Sequence, residues 1–246
     1  MDLFEKCYQF TDAKEARAAG IYPYFHALET VQDTEVVMEG KSIIMLGSNN
    51  YLGLTSDRRT IDASIKALDE LGTGCSGSRF LNGTLKLHEQ LESELAEFFG
   101  KEDSITFSTG FQTNLGIISA IAGYHDYIIN DSENHASIID GCRLSFAKKT
   151  LKYQHSDMDD LKRVLERIPE DAGKLIITDG VFSMSGDIAN LPEIVALAKQ
   201  YGARNQVDDA HGMGMIGECG RGTANYYGLD KEIDLTQRIH IEDGRL

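Results

Sequence analysis

Apolar positions along the chain change their period several times, and the changes mark out elements. Between residues 56 and 99 the spacing is helical: Ile61, Ile65 and Leu68 share one face, as do Leu87, Leu91, Leu95 and Phe98 in the next segment. Beyond that, short β-type runs alternate with helix-type segments. The expected strands are Ser104–Phe107, Tyr127–Asn130, Thr150–Tyr153, Lys174–Thr178 and the stretch ending at Val207. Asp157 is placed to cap a helix carrying Leu161, Leu165 and Ile168. Pro192 opens a helix over Pro192–Tyr201 that Gly202 should stop. Alternation of this kind predicts an α/β fold with a parallel, doubly wound sheet, whose ligands gather at the carboxyl ends of the strands. The first 55 residues read differently, as a helical arm (Asp12 to Ala19) followed by a hairpin over residues 35–45 turning at Gly40-Lys41.

Composition narrows the class. At roughly 150 residues per domain, 246 residues suit one or two domains. With 41% hydrophobic residues and three prolines the chain is neither disordered nor linker-rich. A net charge of -15 argues against nucleic acid or an anionic membrane as partner, since both reward clustered Lys and Arg. Cys7, Cys75, Cys142 and Cys219 form no Cys-x-x-Cys pair, so zinc and redox chemistry lack support and no metal site is expected. The charged N-terminus lacks a signal peptide, and no apolar run approaches the ~20 residues of a membrane span. The expectation is a cytoplasmic protein.

Two stretches satisfy Gly-x-Gly-x-x-Gly. Gly72–Gly77 follows a helical pattern rather than a strand. Gly212–Gly217 leads into more loop at Glu218–Gly222, where a dinucleotide site needs a helix N-terminus. NAD binding is therefore disfavoured.

The loops after the strands carry more. Ser108-Thr109-Gly110-Phe111 is a small-residue turn into a helix, either an ordinary capped turn or a phosphate site made of free amides. His135 follows Tyr127–Asn130 as a surface histidine or as a flat ring over a planar ligand. Ser183 follows the apolar Leu175-Ile176-Ile177, and Val207-Asp208-Asp209-Ala210-His211 sets carboxylates and an imidazole after another strand. Adjacent carboxylates repel, so at least one of Asp208 and Asp209 should face a cation or a donor. Phosphate cradle, ring, hydroxyl, carboxylate and imidazole on one sheet edge suit a planar, phosphorylated, protonatable heterocycle. Pyridoxal 5'-phosphate fits best.

The sequence resembles the α-oxoamine synthases, fold-type I pyridoxal-phosphate enzymes that condense an amino acid with an acyl-CoA and release CO2. The likeness runs through most of residues 20–235: Asn50-Tyr51-Leu52-Gly53-Leu54, residues 73–84 with His88, Phe107–Phe111, His135-Ala136-Ser137 with Asp140-Gly141, Phe182-Ser183-Met184 with Gly186-Asp187, Asp208–His211 and Gly220-Arg221-Gly222. It implies a three-layer large domain with a mostly parallel sheet over residues 56–246, preceded by the arm and hairpin of residues 1–55. It also implies roles. Gly110 and Phe111 would contact the cofactor phosphate, and His135 would stack on the pyridine ring and sense the substrate carboxylate. Ser183 and His211 would hydrogen-bond the ring phenolate, Asp208 would pair with the ring nitrogen, and Asn50 would meet the amino-acid carboxylate. His135 and His211 are the catalytic candidates. Residues 32–36, 76–84 and 114–119 lean toward the serine-using branch and sphingolipid biosynthesis. Relatives making 2-amino-3-oxobutyrate or 8-amino-7-oxononanoate share most of the motifs. The family is typically a homodimer.

Two features depart from the family. Its cofactor-bonding lysine lies in a Gly-Thr-Phe-Ser-Lys-like segment after a strand resembling Ile233–Thr236. Here residues 237–246 follow instead, and no lysine comes after Lys231. The expectation is a large domain incomplete at its C-terminus, through a shifted frame or premature stop, without its C-terminal domain and without synthase turnover. At most it would bind cofactor or a partner subunit. Ala203-Arg204-Asn205-Gln206-Val207 is also polar where a buried parallel strand should be apolar, which reads as a related sequence error.

Overall fold

A computed structural model describes residues 2–237 of the chain. The expectations placed on residues 238–246, most of the unlike tail, lie outside the described residues. The arm holds two short helices, α1 (Glu5–Gln9) and α2 (Asp12–Ala18), neither of which buries a residue. The hairpin forms from β1 (Glu35–Met38) and β2 (Lys41–Ile44), antiparallel with Met38 opposite Lys41. Its turn is Glu39-Gly40, one residue earlier than expected. Both residues have positive φ, 52° and 71°, the handedness that matches the twist of the flanking strands, and glycine accepts it without strain.

Two longer helices follow, α3 (Arg58–Leu71) and α4 (Lys86–Phe99). Asp57 caps α3 by accepting from the Arg59 amide. Amphipathic spacing alone does not bury a helix, however: Ile65 and Leu68 are 46% and 52% exposed. In α4 the buried apolar residues are Ala96 and Phe99 rather than Phe98, because at 3.6 residues per turn Phe99 falls on the stripe of Ala96.

The stretch Ser104–Phe107 is not a strand, contrary to its pattern. No described strand lies beside it, and side chains satisfy its backbone instead. Glu92 Oε1 accepts from the Thr106 amide (2.7 Å) and hydroxyl (3.0 Å), while Arg79 donates to the Thr106 carbonyl (3.2 Å) and to Glu92. The Arg79 hydrogen bond, opposed by burial and aided by Thr106, pulls the Glu92 pKa down to about 2. Glu92→Gln is expected to cost about 1–2 kcal/mol in urea unfolding at pH 7 and to speed proteolytic cleavage near residue 106.

The remaining elements form three layers. A five-stranded parallel sheet holds β3 (Asp126–Asp131), β4 (Lys149–Tyr153), β5 (Gly173–Asp179), β6 (Arg204–Asp208) and β7 (Leu235–Gln237), in the order β4-β3-β5-β6-β7. On one face α5 (Gly110–Ile121) and α6 (Ala136–Leu144) cover Ile128, Leu175 and Ile177 with Ile118 and Ile138. On the other, α7 (Met158–Leu165) and α8 (Leu191–Tyr201) cover Ile129, Ile176 and Val207 with Leu161, Leu165, Leu191 and Ile194. Neighbouring residues of one strand thus enter opposite cores, which is why β3 and β5 read as continuous apolar runs. The helix ends follow the signals in the sequence. Asp157 caps α7, Asn190 and Pro192 open α8, and Gly202 ends it at φ 63°. Ile168 is buried but lies past the end of α7. A short helix, α9 (Thr223–Tyr226), precedes β7.

Polarity does not prevent β6 from forming, because most of its buried side-chain polar atoms find partners; Gln206 Oε1 has none among the described residues. Asn205 donates to the Glu232 carbonyl (3.0 Å) and accepts from the Asp234 amide (3.0 Å), and Gln206 donates to Asn114 (3.3 Å). Residues 212–217 form turns followed by a 3-10 turn at Glu218–Gly220, so no helix N-terminus stands behind that glycine pattern. All four thiols are free, and burial pushes Cys142 up to about 11.

Candidate cofactor site

Parallel strands end together, so register alone brings three carboxylates to one edge. Asp131, Asp179 and Asp208 close β3, β5 and β6, Asp179 lies opposite Asp208, and all three are at most 5% exposed. Each meets different company. Asp131 accepts from the Glu133 and Ser156 amides and from His155 Nδ1 at 2.9 Å. Asp208 accepts from Asn114 Nδ2 (2.7 Å) and the Ala210 amide (3.2 Å), and the Gln237 amide nitrogen, turned toward it, reaches both carboxylate oxygens. Asp179 accepts only the His135 amide (3.2 Å) among the described hydrogen bonds. Burial, reinforced by the Asp208 charge, pushes Asp179 up to about 8. Burial also raises Asp208 against its hydrogen bonds. A carboxylate held by neutral donors alone, in a place where ionisation is costly, is suited to a cationic partner.

The neighbouring aspartate does different work. Asp209 is fully buried and accepts from the Thr223 amide and hydroxyl, both at 2.9 Å, which ties the loop after β6 to the start of α9. A β-carbon at Gly212 would lie 2.1 Å from Asp209 Oδ1, so only glycine lets the chain pass there. The adjacent pair thus meets donors on both members.

His135 stands at the N-cap of α6 and is itself the cap, since its Nδ1 accepts from the Ser137 amide (3.2 Å). The Ser137 hydroxyl is 2.7 Å from the same nitrogen, and Asn114 donates to that hydroxyl (2.9 Å). Gly110 and Phe111 open α5, one turn before Asn114. Thr109 caps the helix through the Gln112 amide, so the amides of Gly110 and Phe111 have no intrahelical carbonyl to meet. One helix therefore carries both the anion-seeking turn and the Asp208 donor.

Other expected residues are placed less directly. His211 Nδ1 lies 2.7 Å from the Tyr51 hydroxyl, so the N-terminal segment does reach this loop, but through Tyr51. Asn50 spends its side chain within its own segment, accepting from the Thr55 amide and donating to the Gln32 carbonyl. Ser183 is exposed on the turn closed by the Val181–Ile188 bridge, and no hydrogen bond joins it to His211 among the described residues. Tyr51, Ser137 and Asn114 lie within motifs of the resemblance that give them no role, and Asp179 ends its strand without one. Asn114 leaves one further trace, a polar residue on the buried stripe that it shares with Gly110 and Ile118.

The comparisons with known proteins bear on the same region. A family model for aminotransferase class I and II matches residues 41–241. The chain belongs to that family. It is 55% identical over 233 residues to a serine palmitoyltransferase of Sphingobacterium spiritivorum, a match covering 95% of this chain and 58% of that protein. An 8-amino-7-oxononanoate synthase of Lysinibacillus sphaericus is 50% identical over 217 residues, covering 88% and 56%. Among solved structures, a serine palmitoyltransferase variant from S. paucimobilis with bound PLP–myriocin superposes with a TM-score of 0.92 at 42% identity, covering 96% of this chain and 60% of that one. The chain thus spans somewhat under two thirds of the length of these relatives. The fold-type I architecture implied by the resemblance is the one present. Among the described residues no helix is long and apolar enough to cross a membrane.

The arrangement suits a flat, phosphorylated pyridine. Among the described residues Asp208 meets neutral hydrogen-bond donors, the first amides of α5 meet no acceptor, and His135 caps α6 with its backbone joined to the same edge. Residues and ligand chemistry match.

Proposed function

We propose that the chain is the cofactor-binding part of a pyridoxal-phosphate-dependent acyltransferase that condenses an amino acid, serine by preference, with an acyl-CoA and releases CO2. The observation that carries this is Asp208, a buried carboxylate at a strand end held by neutral donors in one network with His135. The family membership and the 55% identity to a serine palmitoyltransferase support the substrate class. When bound, pyridoxal phosphate supplies the electron sink that stabilises a carbanion at the amino-acid α-carbon.

The residues of the chain do the rest. Asp208 keeps the ring nitrogen protonated, and the amides of Gly110 and Phe111 hold the phosphate. His135 would lie over the ring, exclude water from that face and sense the substrate carboxylate. Ser183 and His211 would hold the ring oxygen, with Tyr51 orienting His211, and Asn50 would meet the substrate carboxylate. Residues 1–55 would serve as arm and hairpin and 56–246 as the large domain of a cytoplasmic homodimer acting in sphingolipid biosynthesis. The 50% identity to an 8-amino-7-oxononanoate synthase keeps that condensation as the second reading, with 2-amino-3-oxobutyrate synthesis beside it.

No lysine takes part in the hydrogen bonds around Asp208, His135 or His211 among the described residues. This polypeptide by itself should therefore bind the cofactor without bonding it and turn over no substrate. Equilibrium dialysis of the chain with pyridoxal phosphate, followed by an assay with serine and palmitoyl-CoA, tests both halves. Binding that weakens about tenfold or more in Asp208→Ala, with no product, is the expected result. Binding indifferent to Asp208 would remove the cofactor assignment, and product release would remove the inactivity.

A further inference from the structure

We propose that Asn114 is a positioning residue whose two amide hydrogens hold the Asp208 carboxylate and, through the Ser137 hydroxyl, the bond to His135 Nδ1. This rests on the cofactor site described above and deepens it. Asn114 is wholly buried in α5, one turn after Gly110. One N–H goes to Asp208 Oδ2 at 2.7 Å, the other to Ser137 Oγ at 2.9 Å, and its carbonyl accepts from Gln206 Nε2 at 3.3 Å. An ionised Asp208 can only accept, so the amide nitrogen must face it and the direction of every other bond follows.

The direction decides the histidine. Ser137 Oγ accepts from Asn114, and the acceptor that its own hydrogen finds among the described bonds is His135 Nδ1 at 2.7 Å. The same nitrogen receives the Ser137 amide at 3.2 Å. With two donors on Nδ1, the ring proton sits on Nε2, the nitrogen left outside this chain of bonds. A single buried amide thus orients the carboxylate that would meet a ring nitrogen and the hydroxyl that, together with the Ser137 amide, keeps the imidazole proton on its far nitrogen.

The residue type is required by the bonding. No other side chain of this size carries two donors on one atom and an acceptor beside it. Leucine of similar volume would leave Asp208 with the Ala210 and Gln237 donors only, and Ser137 without a donor to its oxygen. Aspartate, isosteric with asparagine, would set a second carboxylate against the first. The polar character of β6 belongs to the same device. Gln206, which breaks the apolar pattern of a buried strand, is the donor that holds the Asn114 carbonyl.

Two readouts test this. The first is the affinity of the chain for pyridoxal phosphate relative to its 1-carba analogue, in which C–H replaces the ring nitrogen. The unsubstituted chain should prefer the nitrogen ring, and Asn114→Leu and Asn114→Asp should each reduce that preference at least about fivefold. A role in packing alone would weaken both ligands alike. The second, which needs no cofactor, is the 15N spectrum of labelled histidine. His135 should show the Nε2-protonated signature in the unsubstituted chain and also in Asn114→Leu and Ser137→Ala, where the amide of residue 137 still donates to Nδ1. It should lose part of that signature in Asn114→Asp, whose carboxylate draws the Ser137 hydrogen away from Nδ1. Ser137→Ala should retain the nitrogen preference. If Asn114→Leu fails to fold, the isosteric Asn114→Asp carries both measurements. An unchanged ligand preference in the folded Asn114 variants, or an unchanged His135 tautomer in folded Asn114→Asp, overturns the proposal. If the unsubstituted chain binds the two ligands equally or not at all, the cofactor assignment fails instead, and the tautomer result alone decides the role of Asn114.

Discussion

Exchanging Asp179 for asparagine should remove most of the loss of stability that the chain undergoes between about pH 4 and pH 8. Asp179 is 5% exposed and faces Asp208 across β5 and β6, with Asp131 and His155 also acting on it. Burial and the Asp208 charge raise its pKa from the usual 3.8 to about 8. The folded chain therefore binds this proton more tightly than the unfolded chain. Below 3.8 both states carry it, above about 8 neither does, and between the two the folded state holds the extra proton. Stability then falls as pH rises through that window, by on the order of 4 kcal/mol. Asparagine keeps an oxygen for the His135 amide and turns a donor toward Asp208 without a charge. Urea unfolding at pH 5 and pH 8.5 should give similar stability for the two proteins at the lower pH. At the higher pH the Asp179→Asn chain should be the more stable by several kcal/mol. Parallel curves for both chains across this range would refute the assignment.

The second large effect concerns His155. Its ring lies between two carboxylates, 2.9 Å from Asp131 Oδ1 through Nδ1 and 3.0 Å from Asp187 Oδ2 through Nε2, with its edge against Phe182. Burial opposes a charge on this ring, but the two carboxylates outweigh it and its pKa is raised. The Asp187 pKa is lowered: burial would raise it, but Ser185, its own backbone and His155 together outweigh that. Since the folded pKa of His155 is raised, its contribution is full below the ordinary 6.5 and is lost as pH climbs through the folded value, in the same direction as Asp179. Removing the ring leaves Asp131, 1% exposed, as a buried charge held by two backbone amides. His155→Ala is expected to cost about 3 kcal/mol at pH 6, or roughly 6–12 °C in melting temperature at this size. Adding Asp131→Asn should recover part of the loss. A double variant as unstable as the two single changes summed would show that the pair acts independently, against the clamp described here.

These two residues illustrate the limits of local pattern. The strands β3 and β5, the cap at Asp157, the helix opening at Pro192 and the stop at Gly202 follow from period and capping chemistry within a few residues of one another. Ser104–Phe107 has the same kind of pattern and fails, because a strand needs a neighbour and Thr106 found Glu92 and Arg79 instead. The apolar face of α3 is regular but half exposed, since periodicity states which residues face together and not what they face. In the candidate site, Gly110, His135, Asp208 and His211 were marked by their place after strands. Tyr51 was not, because its link to His211 spans 160 positions.

The sequence by itself determined the alternation of strand and helix, the parallel sheet and the edge at which its chemistry collects, because periodicity, caps and strand-following loops are local properties. It also carried the family membership, through motifs kept in order over most of the chain. Only the tertiary structure decided which side chains on that edge act together. Asn114, Ser137 and Gln206 become a single bonded unit with His135 and Asp208 because parallel register and the packing of α5 bring their polar atoms within hydrogen-bond range, 23 to 94 residues apart in the chain. The protonation of Asp179 was likewise settled by depth and by the strand beside it, which no window along the sequence contains.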